Sequence, residues 1–166
     1  MVGKAQTGPV IRAATADDVA DMHALIVQLA VDTGMQHRVT STADDLLRAG
    51  FGEEPEFAAL LATDAGRSVG LSLFYYEYST WRGVAGVYLQ DLIVLQEYRG
   101  GGLARRLVQE TVRAGKQRGA DYLRLSVDAD NQKAIGFYRA IGLDISADEQ
   151  ICYARDAAFE RLAGES

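Results

Sequence analysis

The chain has one cysteine, Cys152, and only two prolines in its 166 residues. A lone thiol builds neither a disulfide framework nor a metal site, and it fits a reducing, cytoplasmic setting. No run approaches the ~20 consecutive apolar residues that a membrane helix requires. Residues 1–14 (MVGKAQTGPVIRAA) lack the apolar stretch of a signal peptide. Positive charge is also in short supply, with 17 Lys and Arg against 23 Asp and Glu, a net charge of −6. A nucleic-acid binder would show a basic face, whereas an acidic chain suits a cationic small substrate. His23 and His37 have no partners at ligand spacing, so no metal is implied. What is present is ordinary for a soluble globule, 48% hydrophobic and 24% charged. The length supports one core rather than two, so residues 1–166 are expected to form a single domain with its core over about 10–155.

Hydrophobic periodicity outlines the elements. Val10–Ala13 is a short first strand. Thr15 with Asp18 three residues on makes a cap-like start, and Val19, Met22, Leu25, Ile26, Leu29 and Ala30 then recur at helical spacing over 16–33, closed by Gly34. A short helix follows near 42–49. Residues 56–63 and 68–78 flank the turn Asp64-Ala65-Gly66-Arg67 and predict a hairpin, and 84–95 predicts a long third strand. Leu103, Leu107, Val108, Thr111, Val112 and Gly115 trace one face of a helix to about Arg118. A strand over 121–127, a short helix over 131–141, a last strand over 149–155 and a frayed helix over 157–163 complete the chain. The order is β-α-α-β-β-β-α-β-α-β. It predicts an α/β (α+β) fold with a mixed central sheet of about six to seven strands flanked by helices.

Between the long strand and the long helix stands Glu97-Tyr98-Arg99-Gly100-Gly101-Gly102-Leu103-Ala104-Arg105-Arg106. The first amides of a helix have no internal partner and attract anions. Three residues without side chains there let a pyrophosphate approach the amides, with Arg99 and Arg105 at the rim. A nucleoside-triphosphate loop would need G-x-x-x-x-G-K-S/T, but Leu103 follows the glycines. The dinucleotide fingerprint fails because Arg105 stands where a small residue is required.

Arg99 to Ala104 satisfies a third pattern, Q/R-x-x-G-x-G/A. Upstream lies LQDLIVLQEYRG. Downstream, Asn131, Ala134, Phe137, Tyr138 and Gly142 fit N-x-x-A-x-x-F-Y-x-x-x-G-F, with Leu143 for the final Phe. On these residues the sequence resembles the GNAT superfamily of N-acetyltransferases over about 10–155. The run YYEYSTWRG…VYLQDLIVLQEYRG with the later DISADEQ looks most like its diamine (spermidine/spermine) branch.

The resemblance implies acetyl-CoA as cosubstrate, no metal, and acetyl transfer to the primary amine of a small molecule by direct attack on the thioester. Polyamine-like, amino-acid-like and antibiotic amines all fit. The resemblance also admits acetylation of a protein N-terminus or lysine, or a CoA-binding module with impaired catalysis, and it implies a homodimer. It assigns the pantetheine arm to Leu92, Ile93 and Val94. The diphosphate falls to Arg99, Gly100, Gly101, Gly102, Leu103, Ala104 and Arg105, with Asn131 and Ala134 as further cofactor contacts. Tyr138 is the general acid. Asn131 also suits a helix cap.

Gln90 stands where the diamine branch has a glutamate that helps deprotonate the amine. A carboxamide does not take that proton. Gln90 is therefore expected to position a water, with Glu77 as an alternative base or with no base at all. Asp91 is adjacent, and strand neighbours face opposite sides unless a bulge intervenes. Tyr76, Tyr78, Trp81 and Asp91 are the candidate substrate contacts, the aromatics through attraction of a cation to their rings. Alternation separates Tyr75 from Tyr76 and Tyr78.

Overall fold

The computed structural model describes residues 8–164, so residues 1–7 of the N-terminal segment read above for a signal peptide lie outside the described residues. Its chain divides into two compact units, one ending at Ser126 and one beginning at Val127.

The first unit is built on a sheet of five strands among the described residues, in the order β1 (Val10–Ala13), β2 (Ala58–Asp64), β3 (Arg67–Ser79), β4 (Val84–Val94), β5 (Ala120–Arg124). The first three pairings are antiparallel and β4 pairs with β5 in parallel, so the sheet is mixed as expected. The strand count falls short of six to seven. The segment 149–155 forms no strand, and its Ile151 and Tyr153 are exposed. Alternating apolar residues give a strand one sticky face, but they do not provide a partner edge.

Two helices cover one face and a third covers the other. α1 (Val19–Asp32) and α2 (Ala43–Phe51) bring Met22, Leu25 and Leu46 onto Leu61, Leu71, Leu73 and Ile93. α3 (Leu103–Gln117) brings Leu103 and Leu107 onto Ala62, Val69 and Val94. The start read at Thr15 and Asp18 is a capping box. The Asp18 carboxylate accepts from the Thr15 amide (2.8 Å) and hydroxyl (2.9 Å) and from both terminal nitrogens of Arg12 (2.7 Å each). A single 3-10 turn over Ala16–Asp18 precedes the α-helix proper. Thr42 and Asp45 repeat the box at α2. Where α3 crosses β4 there is no room for a side chain. A Cβ on Gly115 would lie 2.4 Å from Val87 Cγ2, and this close approach fixes the helix that begins at the glycines.

The second unit holds α4 (Gln132–Ala140) and α5 (Ala157–Ala163). Asn131 caps α4, its Oδ1 accepting from the Ala134 amide at 3.1 Å. Ile135 is the buried residue of α4.

Candidate active site

Two backbone features of the first unit define the site. The first is the turn into α3. Gly100 and Gly102 have φ of 83° and 81°, in the left-handed region that side chains disfavour. Gly102 caps the helix, and no side chain bonds to the exposed amides. The Arg106 amide is satisfied by the Gly102 carbonyl at 3.0 Å. The surface above the turn is bare, since a Cβ on Gly100 or Gly102 meets nothing within 4 Å and one on Gly101 meets only the Tyr98 carbonyl at 4.0 Å. Arg105 is exposed and has no hydrogen bond or ion pair among the described residues. This is the chemistry of an anion site, made of free N–H groups, the positive end of a helix and an exposed cation.

Arg99 departs from its expected place at that rim. Its Nε donates to the Val94 carbonyl at 2.7 Å, and its Nη2 bonds the Asp32 carboxylate at the end of α1. Gln28 Nε2 holds the other Asp32 oxygen at 2.7 Å. Arg99 is thus a brace between α1 and the end of β4, and Arg105 carries the open charge.

The second feature is β4 itself. Its pairing with β5 ends at Tyr88↔Arg124, while the strand runs on to Val94. Leu92, Ile93 and Val94 therefore have β3 on one side and, among the described residues, no strand on the other. That is the edge an extended ligand arm pairs with. On the β3 side the register jumps. Leu73 pairs with Asp91, and Phe74 pairs with Leu89. Gln90 is the extra residue of a β-bulge, the one circumstance under which neighbours 90 and 91 need not face opposite sides. Gln90 is exposed, and its Oε1 accepts from the Tyr75 hydroxyl at 3.3 Å. Asp91 lies across from Leu73, on the face shared by Tyr75 and Glu77. Burial there pushes its carboxyl up from 3.8 to about 6.

Past the helices the same face carries a polar and aromatic group that the sequence reading did not assemble. Tyr75 stacks on Tyr88 with centroids 5.0 Å apart. Arg124 lies 5.0 Å over the Tyr88 ring and holds both Glu77 oxygens at 2.7 Å. The Tyr88 hydroxyl and Ser126 Oγ are 2.7 Å apart. Gly86 leaves room for Tyr122, whose ring would be 2.2 Å from a Cβ there. The ion pair with Arg124 occupies Glu77, so it is not a free base. Only the i, i+2 spacing of Tyr75 and Glu77 hinted at this cluster. The pairing that brings Tyr88 and Arg124 beside them is long-range.

Tyr76 and Tyr78, the expected substrate contacts, are on the opposite face. Tyr76 packs edge-on to Phe74 and lies under Arg118 at 4.3 Å. The structure therefore does not bring them together with Asp91. Tyr78 is 63% exposed and Trp81, at the hairpin tip, 100%.

In the second unit Tyr138 is half-buried on α4 beside Phe137, with ring centroids 5.2 Å apart. Phe137 is half-buried as well, and Ile135 takes the core position of this helix. Among the described residues no group of three or more His, Cys, Asp or Glu is placed to hold a metal ion. Among the described residues no helix is long and apolar enough to cross a membrane. Cys152 is exposed.

Known proteins resemble the chain in sequence and in fold. A family profile described as "Acetyltransferase (GNAT) family" matches residues 26–143. The chain is 33% identical over 140 residues to a thialysine N-epsilon-acetyltransferase of Mus musculus, covering 80% of this chain and 82% of that one. It is 31% identical over 166 residues to a protein of the same name from Bos taurus, covering 93% and 97%. A spermidine/spermine N(1)-acetyltransferase-like protein of Homo sapiens is 33% identical over 84% of this chain, which spans 21% of that protein. Among solved structures, an integron cassette protein from the mobile metagenome of V. cholerae superposes with a TM-score of 0.79 at 16% identity, covering 94% and 98%. An aminoglycoside acetyltransferase from an uncultured soil metagenomic sample gives 0.73 at 20% identity, covering 89% and 99%. At those identities the structures speak for the fold alone.

Proposed function

The chain belongs to the acetyltransferase (GNAT) family, and from that premise we propose that it transfers the acetyl group of acetyl-CoA to the primary amine of a small molecule. One observation carries the site assignment: the bare N-terminus of α3, capped by Gly102 without a side-chain bond, stands at the end of a strand whose far edge has no strand partner among the described residues. The amides from Gly100 to Ala104 take the diphosphate, with Arg105 adding charge. The edge of Leu92–Val94 takes the pantetheine arm as an added strand, and a backbone amide there polarises the thioester carbonyl. Acetyl-CoA supplies an activated acyl group. The protein supplies position, an oxyanion donor and proton transfers.

Tyr138 gives a proton to the departing sulfur. Asn131 and Ala134 contact the cofactor arm, with the Asn131 Oδ1 cap on the Ala134 amide fixing the start of α4. Gln90, tied to Tyr75, orders the acceptor side of the bulge. The acceptor lies against the Tyr75–Tyr88 stack, and the names of the relatives favour a lysine-like or polyamine amine. Residues 1–166 act as one domain, in the cytoplasm. The exposed Ile151, Tyr153, Phe159 and Leu162 support a homodimer that covers them.

Thiol release from acetyl-CoA across a panel of thialysine, lysine, spermidine, aminoglycosides and an N-terminal peptide tests this reading. Turnover with a small amine supports it. Turnover with the peptide alone shifts the assignment to protein acetylation, and coenzyme A binding without turnover on any amine shows a binding module.

A further inference from the structure

An alkylammonium has a pKa near ~10, so acetylation near neutral pH needs a group that removes its proton. The two carboxylate positions that the sequence brings forward for this are closed. Position 90 is a glutamine, and Glu77 has both oxygens on Arg124 at 2.7 Å. The bulge offers a third. Because Leu73 pairs with Asp91 and Phe74 with Leu89, Gln90 is extruded, and Asp91 lies on the face of Leu73, Tyr75 and Glu77, one residue before the Leu92–Val94 edge. Building on the acetyl transfer proposed above, we propose that Asp91 is the general base that deprotonates the acceptor amine.

The surroundings of Asp91 fit that task. Its carboxylate has no hydrogen-bond or ion-pair partner among the described residues, and the side chain is half-buried rather than sealed. Leu73 lies across the strand pair, and Met22, Leu25 and Leu46 of α1 and α2 pack on the same face. Four polar groups of the packed elements have other partners. The Tyr75 hydroxyl bonds Gln90, the His23 Nε2 is 2.7 Å from the Ser41 carbonyl, Asp21 accepts from Ser68, and Asp45 accepts from Thr42. An unpaired carboxylate in such a setting disfavours its charge, and its pKa rises to about 6. A base poised just below the working pH is ionised when substrate arrives, yet basic enough to share the proton.

The proton account closes. The ammonium gives one proton to Asp91. The freed lone pair attacks the thioester carbonyl carbon and forms the C–N bond. As the C–S bond breaks, the sulfur takes the Tyr138 proton, and the second amine proton replaces it. Asp91 then releases its proton to water.

The test is the pH dependence of kcat/KM for Asp91→Asn, Asp91→Glu and Glu77→Gln, measured with coenzyme A affinity by calorimetry. Wild type is expected to rise through about pH 6 and then level, in line with the carboxyl of Asp91. Asp91→Asn is expected to lose that limb and to climb toward the pKa of the amine, with kcat at pH 7 down about 100-fold, the lower end for a general base. Its coenzyme A affinity is expected to stay unchanged. Asp91→Glu keeps a limb, and Glu77→Gln leaves it in place. Two results overturn the proposal: a limb that persists in Asp91→Asn, or a loss of coenzyme A affinity along with the rate. Wild type that neither binds coenzyme A nor releases thiol defeats the acetyltransferase reading itself, a different failure.

Discussion

Replacing Asp91 by asparagine should make the protein more stable at neutral pH, not less. Burial raises this carboxyl from 3.8 to about 6 in the folded state, while the unfolded chain exposes it to water. Between those values the native protein holds a proton that the unfolded chain has lost. Wild-type stability therefore falls as pH rises through that interval and levels above it. A shift of about two units at 1.36 kcal/mol each amounts to about 3 kcal/mol by pH 8. Part of it is offset in the variant, because burying an unpaired amide costs about 1–2 kcal/mol. The net gain at pH 8 is then about 1–2 kcal/mol, a urea midpoint higher by about 0.5–1 M at a typical slope. Below pH 4 both forms are neutral and the gain disappears, leaving only the amide penalty. Urea titrations of both proteins at pH 4, 6 and 8 measure this. Stability profiles that run parallel across pH, or a variant weaker than wild type at pH 8, would refute the reasoning that Asp91 is held against its own charge. The expected pattern places Asp91 among the groups for which function is retained at the expense of stability.

The glycine turn separates bulk from strain. Gly101→Val has open space and an ordinary backbone, so its melting temperature is expected to hold while coenzyme A affinity drops at least 10-fold, the loss of one charge-assisted hydrogen bond. Gly102→Ala, at φ 81°, is expected to lose about 1–2 kcal/mol of stability in urea as well. Gln90→Glu sets a second carboxylate beside Asp91, and like charge is expected to move the acidic limb of kcat/KM upward by about one unit; an unmoved limb would contradict the shared face. Asp18→Asn removes the anchor of the first helix cap and its pair with Arg12. It is expected to cost about 1 kcal/mol above pH 5. Hydrogen bonding to Arg12 depresses the Asp18 carboxyl, so its contribution is present above the unfolded value and fades as pH falls through the folded one. Equal stability of the two proteins at pH 7 would show the cap to be idle.

Much of this was readable in the sequence because it is local. The Thr15–Asp18 cap, the amphipathic face of α1 and the glycines opening α3 each depend on residues a few positions apart, and the structure has them where the spacing put them. The hairpin of β2 and β3 follows from its turn residues. What the sequence hid is set by pairing across strands. Nothing in Tyr88-Leu89-Gln90-Asp91 announces a bulge, because register belongs to both strands of a pair. The Glu77–Arg124 ion pair joins residues on strands that are not adjacent in the chain. Arg99 looked like a phosphate ligand by proximity to the glycines, but Asp32, at the end of a distant helix, claims it. The supposed strand over 149–155 had the alternation and lacked the edge.

The central claim is that free amides at a side-chain-free helix N-terminus grip a diphosphate. Calorimetric titration with coenzyme A and with pantetheine, which lacks the diphosphate and nucleotide, tests it most directly. The account predicts binding of coenzyme A at least about 10-fold tighter, with a margin that shrinks as salt is raised. Equal affinities for the two ligands, or no heat with coenzyme A, would contradict it.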